Sequence, residues 1–413
     1  MEITTMNYCK SPWYAVLLMP GITFSVLADT DKQDAYLDIY GHVMLDMGYQ
    51  SGSNDPNWYD VVRPTKLPVF ENQYGPDGNY FASVRQSRFG VKGFKPTPKG
   101  DIKTIFEFEL FGVGSDEGQT TFRLRHAYGE FNNVGAGQYW STFMDPDVFP
   151  NSLEYWGPNG MVFFRNIQLR YTPIAGKNTV AIALEKPGAS GDPGVRVDDP
   201  VVPFLEPRFP LPDLTAHYRR TDDWGHFQVA GILRYAEIVD QSNSPVDQSQ
   251  DIAGWGVNLS TNVRFSADTL KLQLVFGEAI QNYMNDGSVD IGATALGSSN
   301  IAEELPLVGL VAFYDRTWNE RYTSTIGYSL VDIDNSAGQT ASAFRKGQYA
   351  LANLLYHPVE NVMWGVELQW GKRDNKGDGQ VDTIDGVSHL VKSSDDLRVQ
   401  LSFKYNFGTR IGG

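Results

Sequence analysis

Cysteine is almost absent from this chain of 413 residues, in which Cys9 is the single thiol. A lone thiol cannot close a disulfide within the chain, and a metal site built from several thiolates is excluded. Long hydrophobic runs are absent too, because no segment after the N-terminal region reaches the roughly 18 apolar residues of a spanning helix. A helical membrane protein is therefore excluded. A membrane barrel is not, since its strands alternate apolar and polar residues.

An excess of positive charge is also missing, because 34 Lys and Arg residues face 49 Asp and Glu residues, for a formal net charge of −15. Such a chain is a poor nucleic-acid binder, since little neutralises phosphate groups. Catalytic signatures are lacking as well: no G-x-S-x-G elbow occurs, and the histidines show no paired zinc spacing. We therefore predict no enzyme, no cofactor and no nucleic-acid partner; a Ser–His pair assembled in space, as in an outer-membrane lipase, is the alternative. The six histidines are His42, His126, His217, His226, His357 and His389.

The N-terminal segment has the composition of a secretory signal peptide. An apolar run, Trp13–Ala28, follows Lys10, and Val26–Ala28 fits the residues that precede a cleavage site. We therefore expect cleavage before Asp29, so that residues 1–28, with the only cysteine, are removed from the mature chain. The alternative is a buried N-terminal strand or helix.

The rest of the chain alternates apolar and polar residues in segments of about ten, the period expected of outer-membrane strands. In the last segment, Asp396–Phe407, every odd position is apolar or aromatic and no even position is. No stretch of helical period interrupts the series. The predicted strands are 36–49, 80–95, 101–113, 120–132, 134–142, 162–173, 178–187, 213–221, 225–238, 252–264, 269–282, 306–316, 321–332, 347–357, 361–373 and 395–407.

The connections between these segments alternate between short and long. Short ones such as Asn132–Asn133 and Asp222–Gly225 take turns with long ones such as 143–161 and 283–305. An even number of strands, with tight turns at one rim and long loops at the other, is the layout of a bacterial outer-membrane barrel.

These patterns together predict an all-β fold, a closed antiparallel 16-stranded transmembrane β-barrel over residues 36–407. The barrel must close, because an open sheet edge would leave backbone groups unpaired in hydrocarbon. We expect a short periplasmic segment at 29–35 before the barrel and a C-terminal tail at 408–413 after it. No linker indicates a second domain.

Five segments follow one another along the first half of the chain: Ser87–Gly93 (SRFGVKG), Asp101–Glu109 (DIKTIFEFE), Phe122–Phe131 (FRLRHAYGEF), Gly135–Met144 (GAGQYWSTFM) and Arg165–Pro173 (RNIQLRYTP). In this order they resemble strands two to six of the trimeric porins of Gram-negative bacteria and, within them, of the DcaP-like group. The resemblance covers nearly all of the mature chain. It implies a trimeric, water-filled pore in the outer membrane, whose third loop folds inward and narrows the channel, and which takes up small, often dicarboxylic, anions. The partners it implies are a homotrimer, outer-membrane lipid and lipopolysaccharide, and small anionic solutes.

Inward-facing charges are the informative residues of a pore, because width and lining charge set its selectivity. An Arg or Lys at the lipid midplane costs about 2–4 kcal/mol, so alternation separates lipid-facing from lumen-facing positions. On strand two, Phe89 and Val91 face lipid, which leaves Arg88 and Lys92 in the lumen. Arginine suits anions, since its planar fork holds a carboxylate with two parallel hydrogen bonds. The basic candidates are Arg88, Lys92, Arg123, Arg125, Arg170, Arg234 and Arg398.

Two features leave alternatives at these positions. Small residues at Ala127–Gly129 indicate a change of parity on strand four, close to Arg125. Acidic residues also share the lumen side, so the arginines could pair with Glu107, Glu109 or Glu130 instead of binding solute. Glu107 and Glu109 are therefore candidate lining residues themselves.

The third long loop, Phe143–Gly160, carries Asp145, Asp147 and Glu154 together with three prolines that restrict its shape. Opposite the arginines, these acids would set a transverse field that orients a passing solute. The sequence thus predicts a passive porin that prefers small anions such as (di)carboxylates, selected between an arginine-rich wall and acidic loop 3. The alternatives are an ordinary surface loop, a cation-preferring pore driven by the loop acids, an outer-membrane hydrolase, and a purely structural barrel.

No metal site is predicted apart from one partial calcium loop at Asp374–Asp385. Asp374, Asp378 and Asp385 fall at calcium-loop spacings, but Lys376 stands at the third position, which needs an acid or an amide. The alternative is a solvated and screened loop.

Overall fold

The computed structural model describes residues 34–112, 122–242 and 244–413 of the chain. The predicted signal peptide at 1–28, and all but the last two residues of the segment at 29–35, lie outside the described residues. In the part of the chain that is described, no helix has the length and apolar composition to span a membrane.

Sixteen antiparallel strands close into one barrel, because each pairs with the next along the chain and the last pairs with the first. The predicted fold is therefore confirmed, with strand ends that differ by a few residues. Strand β2 consists of two segments that both pair with β1. The strands are β1 (Tyr36–Gln50), β2 (Asn79–Ser83 and Arg88–Thr97), β3 (Gly100–Glu109), β4 (Arg123–Phe131), β5 (Val134–Trp140), β6 (Arg165–Ile174), β7 (Asn178–Glu185), β8 (Asp213–Asp222), β9 (Gly225–Asp240), β10 (Gln250–Phe265), β11 (Asp268–Glu278), β12 (Pro306–Asn319), β13 (Tyr322–Ile333), β14 (Phe344–Tyr356), β15 (Val362–Asn375) and β16 (Ser394–Gly412).

Small elements occupy the long connections. One short segment, Leu205–Arg208, extends the barrel sheet beside β9. Three others, Gly191–Asp192, Ile291–Ala293 and Ala302–Glu304, form a separate sheet that joins two of the long connections. A hairpin and six single-turn 3-10 helices complete the described elements. They are Val381–Ile384 with Val387–Leu390, and Pro56–Trp58, Pro64–Lys66, Pro146–Val148, Gly194–Arg196, Val202–Phe204 and Gln281–Tyr283.

Tight turns and long connections lie at opposite rims of the barrel. The two-residue turn between β4 and β5 places Asn132 at a φ of 54°, the left-handed conformation that such hairpins need. Gly225 begins β9 at a φ of 132°, and a Cβ there would lie 1.8 Å from the carbonyl oxygen of Asn262. Glycine therefore fits where the chain turns sharply back. The other rim carries the long connections, which include 51–78 and 279–305.

The exposure of alternate residues separates an apolar outer face from a polar inner face. On β16, Leu397 and Leu401 are 47% and 44% exposed, whereas Arg398 and Gln400 between them are 0% exposed. This is the reverse of a soluble protein, and it is stable because lipid solvates the outer face. The two-sided alternation read from the sequence therefore holds in the barrel.

Strand β16 continues past the predicted end of the barrel. The predicted tail at 408–413 is strand up to Gly412, which pairs with Tyr36 at the start of β1. Arg410 there donates two hydrogen bonds to Asp38, at 2.6 and 2.8 Å. The physical reason is that the first residues of β1 would otherwise leave backbone groups unpaired on one side.

A β-bulge on β4 changes which side chains face the lumen. The β3–β4 register shifts next to Glu107, which pairs with His126 and leaves Arg125 as the extra residue. Arg125 and His126 are consecutive, yet both are buried, at 3% and 2% exposure. Parity therefore changes at Arg125 itself, before the small residues Ala127–Gly129 at which the sequence predicts the change.

An apolar cluster covers the inner face of β9–β14. Its members come from the barrel wall, from the connections 51–78 and 279–305, and from residues 141–164, the connection between β5 and β6 that we call loop 3. The contributions of loop 3 are Phe143, Met144, Val148, Met161 and Val162, and those of the wall include Val275, Val311, Phe313, Val331 and Tyr349.

Candidate functional site

Loop 3 follows the inner wall of the barrel from β7 to β15. Near its start, the backbone N–H of Thr142 donates to Glu185 of β7 at 3.0 Å. Twelve residues later the N–H groups of Leu153 and Glu154 donate to Glu367 of β15, at 2.7 and 3.0 Å. Strands between these two points also bond to the loop. The side chains that do so include Asn258, Lys271, Gln273, Thr325, Ser329 and Asn353.

Asp145 and Asp147 are paired with the wall that loop 3 covers. The buried carboxylate of Asp145 lies 3.2 Å from Arg219 Nη1 and 2.6 Å from His226 Nε2, and Ser260 donates to it at 2.6 Å. Arg219 also donates to Asp147. Burial alone would raise the pKa of Asp145, but the charges of His226 and Arg219 outweigh it and hold that pKa well below its usual range. These two acids therefore have partners of their own on β8–β10, instead of standing opposite the predicted arginines.

Glu154 is likewise anchored rather than open to the lumen. Its carboxylate accepts hydrogen bonds from the N–H groups of Val62 and Gly157, at 3.1 and 2.5 Å, and from the Tyr349 hydroxyl at 3.3 Å. Burial raises the pKa of Glu154 to about 7, against the lowering effect of the backbone amides of Gly157 and Trp156 and of the charge of Arg398. Each of the three loop acids predicted to lie opposite the arginines thus accepts hydrogen bonds from nearby donors, and their role in orienting a solute stays a prediction.

The inner face of β2–β4 carries a network of guanidinium and carboxylate groups. Arg125 lies 2.6 Å from Glu107 through Nε and 2.7 Å from Glu109 through Nη1. Arg88 lies 3.3 Å from Glu109 and 3.9 Å from Glu107. The Tyr40 hydroxyl donates to Glu107 at 2.7 Å. Arg88 and Arg125 thus pair with the two glutamates, which is the alternative that the sequence left open.

Two further arginines, Arg123 and Arg165, border this network. We call the network and these two residues together the arginine wall, which consists of Arg88, Arg123, Arg125 and Arg165 with Glu107 and Glu109. Arg165 Nη1 lies 3.9 Å from Glu109 Oε1, and Arg123 lies 5.8 Å over the Trp156 ring. Alternation on β6 points odd residues to lipid, so it misses Arg165. The residue is inside, with 9% of its side chain exposed, because it begins the strand beside loop 3.

A cavity of about 360 Å³ opens on the tight-turn side of the arginine wall. Arg170 enters it, with its Nε bonded to Gln168 at 3.0 Å and its guanidinium 5.5 Å over the Tyr139 ring. Lys92 Nζ lies 4.9 Å over the Tyr40 ring. Charged lining residues are basic in excess. They are Lys92, Lys103, Arg170 and Arg219, with Asp38 and Glu130.

Arg234 lies apart from this basic face. It donates to Asp213 at 3.2 Å and to Asp290 at 3.0 Å, and its remaining donors reach the carbonyl oxygens of Gly188 and Ala279. These partners belong to β8 and to the connections before β8 and β12. Arg234 therefore fastens two long connections to the barrel, and it does not join the arginine wall.

Arg398 is inward, as predicted, but at a different height. It pairs with Gln50 on β1, whereas Arg88 pairs with His42 farther toward the tight-turn rim. Its guanidinium lies 3.6 Å over the Phe81 ring and has no hydrogen-bond acceptor among the described residues. The predicted basic arc is thus split between two levels.

The partial calcium loop does not assemble. Asp374 contacts Lys372 at 3.0 Å at the end of β15, Asp378 accepts from Asn375, and Asp385 stands in the turn of the following hairpin. Within residues 34–112, 122–242 and 244–413, one group of three metal-ligating side chains converges. It consists of Asp145, Asp147 and His226, where Arg219 already holds both carboxylates.

A closed 16-stranded antiparallel barrel with an apolar outer face and a charged interior defines an outer-membrane porin. A family model of the DcaP outer membrane protein matches residues 27–388. The chain therefore belongs to the DcaP family of outer-membrane channels, located in the outer membrane of Gram-negative bacteria.

Solved structures share this fold. The outer membrane channel DcaP of Acinetobacter baumannii is 22% identical, with a TM-score of 0.72 over 91% of this chain and 98% of that one. An anion-selective porin from Comamonas acidovorans is 10% identical, with a TM-score of 0.55 over 91% of this chain and 100% of that one. The trimer form of OmpT of Vibrio cholerae is 11% identical, with a TM-score of 0.53 over 91% of this chain and 100% of that one. A search of the curated proteins finds no match.

Proposed function

We propose that this porin is a passive channel that prefers small anions such as (di)carboxylates. The observation that carries the proposal is the excess of basic over acidic side chains on the inner face of β2–β8. Four arginines meet two glutamates in the arginine wall, and four basic residues meet two acids in the adjoining cavity. We assign no catalytic residue.

Three of these basic side chains lack a carboxylate at ion-pair distance among the described residues: Lys92, Arg123 and Arg170. A charge without a close counter-ion in a low-dielectric channel attracts anions over a longer range than a paired charge does. A solute carboxylate can accept two parallel bonds from either arginine. These basic residues would therefore both attract anions and bind them in passage.

The cation-preferring alternative depends on the acids of loop 3. Asp145 and Asp147 are neutralised by Arg219, and Glu154 is covered by amide groups. Their pairing removes the main support for that alternative. We propose instead that loop 3 narrows the lumen by filling the side lined by β7–β15, so that solutes pass along the arginine wall.

The test is the reversal potential of single channels in a salt gradient. Neutralising Arg123 and Arg170 together with Lys92 should shift it toward cation selectivity. The matched control is Arg208→Gln, which removes an arginine that is 64% exposed on a long connection. An unmodified channel that is cation-selective, or a triple variant with unchanged anion preference, would refute the proposal.

We further propose that the channel is a homotrimer. Strands β5 and β7 have 7 and 8 residues, fewer than the roughly 9–11 that cross a bilayer, whereas β9 and β10 have 16 each. Next to the short strands, Phe106 and Phe122 are 52% and 73% exposed on the outer face. A neighbouring copy of the chain packed against this short part of the wall would cover it in place of lipid. Crosslinking in native membranes should capture three chains; a monomer alone would contradict this. Binding of lipid and lipopolysaccharide to the remaining outer face stays a prediction.

A further inference from the structure

Tyr155 at the tip of loop 3 reaches the arginine wall. Its hydroxyl donates to Glu109 Oε1, and its ring stacks on Phe111 at 4.0 Å and 13°. The two residues before it, Leu153 and Glu154, are fixed to Glu367 on β15. Residues 153–155 therefore span from β15 to β3, and Tyr155 is the member that touches the charged network.

The hydroxyl of Tyr155 and the guanidinium of Arg165 compete for one oxygen. Glu109 Oε2 accepts from Arg125 at 2.7 Å and from Arg88 at 3.3 Å. Its other oxygen, Oε1, is held by Tyr155, while Arg165 Nη1 stays 3.9 Å away. Among the described residues this Nη1 has no hydrogen-bond acceptor, although it is buried. The tyrosine thus occupies the position that the arginine would otherwise take.

We propose that Tyr155 is a specificity-determining residue of the channel. By holding Glu109 Oε1, it keeps Arg165 Nη1 at 3.9 Å from that oxygen, without a hydrogen bond, so that the charge of Arg165 is only partly compensated. This inference rests on the proposed anion preference and names a residue that sets its strength. Because Nη1 of Arg165 is buried, this charge acts on an anionic solute, a carboxylate or inorganic phosphate, through its electric field and not through a direct hydrogen bond.

Simple electrostatics gives the direction of the effect. Without the hydroxyl, the ionised Oε1 lies 3.9 Å from a buried Nη1 that has no acceptor, so we expect Arg165 to move in and bond to it. A close, hydrogen-bonded ion pair presents a weaker field to the lumen than a guanidinium held 3.9 Å from its carboxylate. Loss of the hydroxyl therefore weakens anion preference although the net charge of the protein is unchanged.

Tyr155→Phe is the direct test, since it removes the hydroxyl and keeps the ring on Phe111. We expect the chloride-to-potassium permeability ratio, taken from the reversal potential in a KCl gradient, to fall about twofold, the size that one screened charge among several would give. The control is Tyr328→Phe. Tyr328 is an outward-facing residue of β13 that donates to Gln348 at 2.8 Å, so its loss should leave the ratio unchanged.

A double-mutant cycle with Arg165→Gln separates the proposed route from a change in loop position. If Tyr155 acts through Arg165, Tyr155→Phe has no further effect on the ratio in the Arg165→Gln background. An equal shift in both backgrounds, or no shift in either, would overturn the inference.

Failure of the proposed function would look different. In that case the unmodified channel is cation-selective from the start, before any comparison of variants. The cycle still reports whether the Tyr155 hydroxyl and Arg165 are coupled, because it compares differences between variants. The two outcomes can therefore be told apart in one set of recordings.

Discussion

Two parts of the inner face of this barrel differ in the chemistry of their side chains. The face of β2–β4 and β6 holds arginines and glutamates at 2.6 to 3.9 Å from one another. The face of β9–β14 carries a cluster of valine, phenylalanine and tyrosine beside polar residues such as Asn258 and Gln273, and loop 3 packs against both. The strands of both walls follow one alternating rule, so the difference comes from what packs on them. Loop 3 forms an apolar core with β9–β14, whereas it contacts the charged wall through Tyr155 and Trp156.

The strongest way to break this contrast is to place a leucine within the arginine wall. Glu109→Leu removes one of the two carboxylates that Arg125 and Arg88 share and leaves Glu107 alone with two buried guanidinium groups, and we expect a loss of about 3–5 kcal/mol in the free energy of unfolding. Urea unfolding of the detergent-solubilised barrel, followed by tryptophan fluorescence, measures it. Glu237→Leu, which breaks an exposed pair with Arg208, is the control and should cost at most about 1 kcal/mol. Equal losses in the two variants would contradict the account.

Truncation on the other wall should act on stability alone. Met161 of loop 3 is 0% exposed in the apolar cluster, so Met161→Ala should cost about 2–5 kcal/mol through lost packing and a cavity. Single-channel recording should find anion preference unchanged, because the charged wall is untouched. Val308→Ala on the lipid-facing side, where the residue is 46% exposed, serves as the control for stability. A change of ion selectivity in Met161→Ala would contradict this prediction.

The anchor of loop 3 at Glu154 should give a smaller, pH-dependent effect. Burial raises the pKa of Glu154 from its usual 4.5 to about 7, so the folded protein holds this proton between those values and the unfolded chain does not. The free energy of unfolding should therefore fall, by a few kcal/mol at most, as pH rises from 4.5 to 7. Glu154→Gln cannot lose that proton and should lack this part of the slope. Parallel pH profiles of the two proteins would be the contrary result.

The smallest effect is expected where β16 meets the start of β1. Arg410→Gln removes a two-bond contact with Asp38, but 51% of the Arg410 side chain is exposed. Surface ion pairs contribute about 0–1 kcal/mol, and the backbone pairing remains. The unfolding midpoint should therefore move little. A loss of several kcal/mol would mean that this end of the strand holds the barrel closed.

The sequence predicts the barrel well because alternation is a local property. It assigns Arg88, Lys92, Arg170 and Arg398 to the lumen, and their burial or contacts place them there. The same rule applied to β8, where Leu214 and Tyr218 face outward, would also have assigned Arg219 to the lumen.

Partners across the lumen could not be predicted in this way. Asp145 binds Arg219 over 74 positions of sequence, and Tyr155 binds Glu109 over 46. Alternation gives the face of a residue but not its height along the barrel or the path of a loop. The bulge at Arg125 could not be predicted either, since one inserted residue shifts parity without leaving a distinct sequence pattern.

The seam between β1 and β16 has a consequence for biogenesis. Tyr36 pairs with Gly412, so the first strand to leave the ribosome waits for the last one before it gains its second neighbour. Until then the nascent sheet has two open edges, which are prone to pair with other chains. Only the complete chain can therefore remove both open edges, because the barrel closes when β16 pairs with β1.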